Sequence, residues 1–160
     1  MLPKNPNYQD AVRKIVEGCP FIQYLGMELK TIGPGWCETE VPIQRQYLQQ
    51  DGFVHAGVLA TIADHTAGMA SLSLVPENQI VLTIEFKINI LRPAIGDSLK
   101  CRAKVLKYGK KITVTESEVF MVNAGEEKLV AKATVTLNNV DQIGLPNSVD
   151  NGAAHLDFQL

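Results

Sequence analysis

The sequence predicts an α+β domain in which a strongly curved antiparallel sheet wraps around one long central helix. Three observations point there. The run Gly52–Pro76 is apolar nearly all round and rich in Ala and Leu, which marks a helix enclosed by protein rather than one lying on a surface. A hairpin pattern precedes this run, four strand-like segments with short links follow it, and there is no βαβ repeat. At 160 residues and 46% hydrophobic content, the chain can bury roughly two-thirds of its unfolded surface in one core.

Asp10–Glu17 places Val12, Ile15 and Val16 on one face of a short covering helix, and Gly18 with Pro20 is expected to stop it. Tyr24–Thr31 and Trp36–Val41 flank the turn cluster Ile32-Gly-Pro-Gly35 and read as a hairpin. After the polar connection Gln44–Gly52 comes the long helix, starting near His55-Ala56-Gly57. Ile80–Leu91, Ser98–Tyr108, Ile112–Asn123 and Lys128–Leu137 then read as strands. Their links Pro93–Asp97, Tyr108–Lys110 and Asn123–Gly125 carry turn chemistry, so the four are expected to form a meander. Thr113, Thr115, Ser117 and Val119 alternate with Val114, Glu116, Glu118 and Phe120, which predicts two differently occupied faces. From Asn138 the periodicity is lost. One domain is therefore expected over 1–140, with a loose tail over 141–160.

A net charge of −2 and a pI near 5.9 give no basic field for nucleic acid or an anionic membrane, so neither is an expected partner. Cys19, Cys37 and Cys101 are odd in number and lack CxxC spacing, which speaks against a disulfide framework and a zinc site. With no apolar h-region in Met1–Asn7, a cytoplasmic location is expected. Gly57–Val75 nearly reaches spanning length, but Asp64 and His65 fall in its interior, which favours a buried helix.

Asp64 is the only Asp, Glu, Lys or Arg between Gly52 and Pro76. An unpaired carboxylate in apolar surroundings costs several kcal/mol unless it is paired, hydrogen-bonded or protonated. The helix start offers free backbone N–H groups and a dipole that favours developing negative charge, and Gly57 allows close approach there. Asp64 lies about two turns onward, placed to act as a nucleophile or as a base for water.

Val54-His-Ala-Gly-Val-Leu-Ala-Thr-Ile-Ala-Asp-His-Thr-Ala-Gly-Met-Ala70, followed by Thr83-Ile-Glu-Phe-Lys-Ile-Asn-Ile-Leu-Arg-Pro-Ala94 and Gly96-Asp97, resembles the hotdog-fold acyl-CoA thioesterases of the phenylacetic-acid-degradation type (PaaI-like). The resemblance covers roughly residues 20–137. It implies a hotdog fold and hydrolysis of an aryl- or fatty-acyl-CoA thioester without a cofactor or metal. Asp64 would attack the carbonyl or activate water, and the Ala56 amide, where the family usually has Gly, would polarise that carbonyl. Gln49 would hold the nucleophile's surroundings and Thr83 would orient the water. The resemblance also implies a homodimer, with homotetramer as a further expectation, in which carboxylate and amide of one site come from opposite subunits. Lys107, Lys110 and Lys111, flanking the turn at Tyr108-Gly109, are candidates for the coenzyme A phosphates.

Each residue has a plainer reading. Asp64 can be a structural carboxylate satisfied by a hydroxyl such as that of Thr61, and His55 can hold its loop by backbone hydrogen bonds instead of doing chemistry. His65 reads as a partly exposed or interface residue, or as one tuning Asp64. The three lysines can be a solvated turn, Gln49 can cap the loop, and Thr83 suits any strand. Met69 and Leu72 read as core or pocket lining. A hotdog protein that binds acyl-CoA without hydrolysing it is the rival function. A hotdog hydratase ranks last, because the His expected five residues after its Asp is absent.

Overall fold

The computed structural model describes residues 1–142. Helix α1 spans Tyr8–Gly18 and buries Val12 and Val16, whereas Ile15 stays 42% exposed. The helix stops at Gly18, as expected, with Cys19 extended, but Pro20 has a further role that the sequence pattern did not include. It opens a second helix, α2 (Pro20–Tyr24), because its fixed φ suits the first helical position. The hairpin strands are therefore β1 (Glu28–Gly33) and β2 (Trp36–Pro42), with the first beginning later than expected. Pro34 and Gly35, the latter at φ +79°, fill the central positions of the turn as a type II geometry demands. A single 3-10 turn at Arg45–Tyr47 leads to the central helix α3 (Ala56–Leu72).

β3 (Gln79–Ile90), β4 (Ser98–Tyr108), β5 (Ile112–Asn123) and β6 (Glu126–Asp141) complete one six-stranded antiparallel sheet of order β1-β2-β4-β5-β6-β3. The expected four-strand meander holds for β4, β5 and β6 only. β3 leaves its sequence neighbour and pairs with β6 at the far edge. The link Leu91–Asp97 makes this possible by crossing the ends of the two intervening strands. Leu91 N–H donates to Val130 O at 2.7 Å, Asp97 N–H donates to Val122 O at 2.8 Å, and Asp97 Oδ2 accepts from Ala124 N–H in the β5–β6 turn. That turn is built on Ala124 and Gly125, both at positive φ, the requirement of a type I′ hairpin. β6 also runs past the expected end at Leu137. Asn139 sustains it, accepting from Thr113 Oγ1 and donating to Gly109 O. Of the tail expected over 141–160, Asp141 belongs to β6, and residues 143–160 lie outside the described residues.

α3 lies on the concave face of the sheet, and the alternation in β5 explains how. Its inward row is Thr113, Thr115, Ser117 and Val119, all buried. Ser117 Oγ donates to Ala63 O at 2.8 Å, Ser71 Oγ and Thr115 Oγ1 lie 2.7 Å apart, and Thr66 and Thr39 of β2 make the same contact. Ala63, Ala67 and Ala70 let the backbones approach closely enough for these bonds. The helix is thus pinned to the sheet by hydroxyls as well as by apolar packing. Its opposite face is only partly covered: Ala56 and Gly57 are exposed, and Asp64 and Gly68 are half-buried. Beside that face runs the edge strand β3, which leaves Leu82, Ile84, Phe86 and Ile90 between 41% and 58% exposed.

Candidate active site

Asp64 sits on the uncovered side of α3, where β3 passes. Thr83 Oγ1 donates to Asp64 Oδ1 at 2.8 Å, and no cation pairs with the carboxylate among the described residues. Burial pushes the Asp64 pKa above the usual carboxylate range, and the Thr83 hydroxyl partly opposes that rise. Thr61, the hydroxyl suggested by the sequence, is not a partner, since it donates back to Gly57 O. The carboxylate opens onto a cavity of about 140 Å³ walled by Ile15, His65, Gly68, Met69, Leu72, Val81 and Leu137.

His65 is a wall of this cavity. Its Nε2 is buried without a hydrogen-bond partner among the described residues, and burial alone pulls its pKa down to about 4, so the ring is neutral at pH 7. It is not a cause of the Asp64 shift, which corrects the expectation of a tuning role.

The start of α3 is more economical than its sequence suggests. His55, extended at φ −62° and ψ 138°, caps the helix with its own side chain, and Nδ1 accepts from Gly57 N–H at 2.9 Å. Gly57 is therefore not a free donor. Ala56 N–H has no partner among the described residues, and Ala56 lines a second cavity, of about 330 Å³, with Gln49, Phe53, Leu59, Ile90 and Arg92. Within one chain this amide and Asp64 lie eight residues apart on one helix, about 12 Å along its axis. They open into different cavities, and Gln49 accompanies the amide rather than the carboxylate.

The sequence profile of the thioesterase superfamily matches residues 51–135, more than half of the chain and the whole stretch from the approach to α3 through most of β6. The chain belongs to the thioesterase superfamily. A crystal structure of a thioesterase family protein from Silicibacter pomeroyi superposes with a TM-score of 0.83 at 38% identity, covering 84% of this chain and 99% of that one. Human acyl-coenzyme A thioesterase 13 is 25% identical over 138 residues, 85% of this chain and 96% of the relative. The PaaI protein from the phenylacetic acid degradation operon of E. coli shares the fold, with a TM-score of 0.75 at 22% identity over 83% of this chain and 93% of its own. The architecture is the hotdog fold, and the chemistry of the class is thioester hydrolysis.

On this thioesterase the three turn lysines stand apart from both cavities. Lys107, Lys110 and Lys111 are exposed around the β4–β5 turn and line neither. Sequence reasoning passed over a better placed cation. Arg92 lines the Ala56 cavity and an adjoining groove that also holds Lys128, and its Nη1 is anchored on Leu129 O at 2.8 Å. It was visible as the basic residue before Pro93, but its position beside the amide follows from the β3-to-β4 crossing. Among the described residues no group of three His, Cys, Asp or Glu is placed to hold a metal ion, and no helix is long and apolar enough to cross a membrane.

Proposed function

We propose that this thioesterase hydrolyses an aryl- or fatty-acyl-CoA thioester in a site shared by two copies of the chain. The observation that carries the reading is a pair of groups on α3 unmet among the described residues, a carboxylate without a cation and an amide without an acceptor, about 12 Å apart and on residues that line different cavities. Neither chain alone can present both to one carbonyl. Two chains whose α3 helices run in opposite directions can, and the bare apolar edge of β3 is the surface that would join them in a homodimer. Pairing of such dimers gives a homotetramer.

Asp64 attacks the thioester carbonyl carbon or removes a proton from the water that does. The carbonyl oxygen gathers negative charge as the π bond opens and accepts a hydrogen bond from Ala56 N–H of the partner subunit. As the tetrahedral adduct collapses, the C–S bond breaks and its electron pair leaves with the thiolate of coenzyme A. On the nucleophilic route, water then cleaves the acyl-aspartyl anhydride. Thr83 holds Oδ1 and leaves Oδ2 for the reaction. One such amide is worth about 3–4 kcal/mol of transition-state stabilisation. Arg92 and Lys128 are the cations placed to meet the coenzyme A phosphates, and Gln49 supports the amide's cavity. No cofactor enters this scheme. Three free cysteines suit a cytoplasmic protein.

The test is thiol release from a panel of aryl- and fatty-acyl-CoA thioesters by wild type and Asp64→Asn. Release by wild type and its loss in the folded variant supports the reading. Stoichiometric acyl-CoA binding without release would instead establish the non-catalytic binder.

A further inference from the structure

Gly68 stands one helical turn beyond Asp64 and in the wall of the same cavity. Glycine in a helix interior is the least favoured residue after proline. Nothing among the described residues requires it here. Its φ is not positive, and a Cβ at this position would meet only Leu137 Cδ2, at 3.9 Å, an ordinary van der Waals contact. What the missing side chain leaves is space directly behind the carboxylate.

That space is a recess whose apolar wall is formed by Met69 and Leu72 of α3, Leu137 of β6 and Ile15 of α1, with Asp64, His65 and Thr83 as its polar members. Its volume of about 140 Å³ is close to the roughly 150 Å³ of a dry cavity that accepts benzene, a six-carbon group. Residues of four elements, α1, α3, β3 and β6, converge on this pocket, so Gly68 faces a chamber rather than a single packed helix.

We infer that Gly68 sets the upper size of the acyl group, about six carbons, with Ile15 as the outer wall of its chamber. This rests on the reading of Asp64 as the group that meets the thioester carbonyl. With the carbonyl at Asp64, the acyl group runs along the 64–68–72 stripe of α3, and a methyl at position 68 removes room at its first carbons. Ile15, 42% exposed, closes the far side without being part of the core.

The experiment measures binding of 2-oxoalkyl-CoA thioethers of two to ten acyl carbons, which cannot be hydrolysed, to wild type, Gly68→Ala and Ile15→Ala, with thiol release from the matching thioesters in parallel. Wild type is expected to bind more tightly up to about six carbons and then to weaken. Gly68→Ala should lower the ratio of six-carbon to two-carbon affinity at least tenfold, and Ile15→Ala should move the optimum to longer chains. Gly68→Ala should also melt roughly 2–4 °C higher, which separates a size effect from misfolding. An unchanged ratio, a uniform loss at every chain length, or a change in oligomeric mass in Gly68→Ala would overturn the inference, the last because Gly68 would then serve subunit packing. Binding without thiol release leaves the size limit standing and removes only the hydrolytic reading.

Discussion

Replacing Ala56 by proline removes the amide hydrogen proposed to polarise the substrate while leaving the fold nearly untouched. Ala56 is the first residue of α3, where proline is tolerated because that N–H has no intrahelical acceptor. The preceding residue, His55, already has ψ 138°, within the range that a following proline imposes. Thermal stability should therefore hold or rise slightly. Activity should not: loss of one oxyanion donor costs about 10²–10³ in kcat, or roughly 3–4 kcal/mol. Ala56→Gly, which keeps the amide, should retain activity. The decisive assay combines two inactive chains. A heterodimer of Ala56→Pro and Asp64→Asn, isolated through different affinity tags, has one site carrying both lesions and one carrying neither if carboxylate and amide come from opposite subunits. It should recover about half the wild-type rate per dimer, less the fraction lost to subunit exchange. A heterodimer as inactive as its parents would refute the shared site, and full activity in Ala56→Pro would refute the amide's role.

The acid limb of kcat/KM should lie above the ordinary carboxylate range, because burial raises the Asp64 pKa and the ionised form is the reactive one. Thr83→Val, by deleting the opposing hydrogen bond, should move that limb further up, and a pH profile in which it stays or falls would contradict the assignment. The same shift has a stability consequence. With its folded pKa above the unfolded value, ionised Asp64 opposes folding at pH 7, and the penalty fades as the pH falls through the folded pKa. Asp64→Asn should accordingly melt higher than wild type at pH 7, with the gap closing on acidification, and an equal or lower melting temperature at pH 7 would count against a strained carboxylate. Ile84→Lys changes a residue 58% exposed on the β3 edge, so the folded chain should lose no more than about 0.5 kcal/mol. Sedimentation should nevertheless show monomers, with hydrolysis down by two orders of magnitude or more. Active monomers would sink the shared-site scheme.

The central helix was legible because a run of apolar residues with no polar stripe has few other ways to fold, and the paired strands because their turns carry glycine and proline at the positions the turn types require. The place of β3 was not. Local pattern gives a strand its two faces but not its neighbour, and only the crossing of Leu91–Asp97 over the hairpin end shows that β3 pairs with β6. Pro20 carries two opposite meanings, helix end and helix start, and Asn138 and Asn139 look like a strand's end until the partners of Asn139 are known. Asp64 stood out in sequence as the lone charge of its segment. Its partner Thr83 lies nineteen residues away on another element, so the choice between Thr61 and Thr83 needed the sheet. The spent amide of Gly57 was hidden because histidine is not a common helix cap.

The two faces of α3 divide the chain's polar groups between structure and chemistry. Toward the sheet, Thr66, Ser71 and the backbone carbonyl of Ala63 each find a hydroxyl partner, so that side carries no unmet demand and holds the helix in one register. On the other side, besides the buried His65 Nε2, two groups are left wanting among the described residues: Ala56 N–H lacks an acceptor, and Asp64 has one hydroxyl but no cation. Burying either without a partner is costly, and both lie beside the apolar edge that a second chain would cover. A carbonyl oxygen acquiring charge satisfies the amide, and the electrophilic carbon it is bonded to is what the carboxylate, or its water, attacks. Rigid attachment on one face is what allows unsatisfied groups to be kept on the other, ready for a transition state that supplies both partners at once.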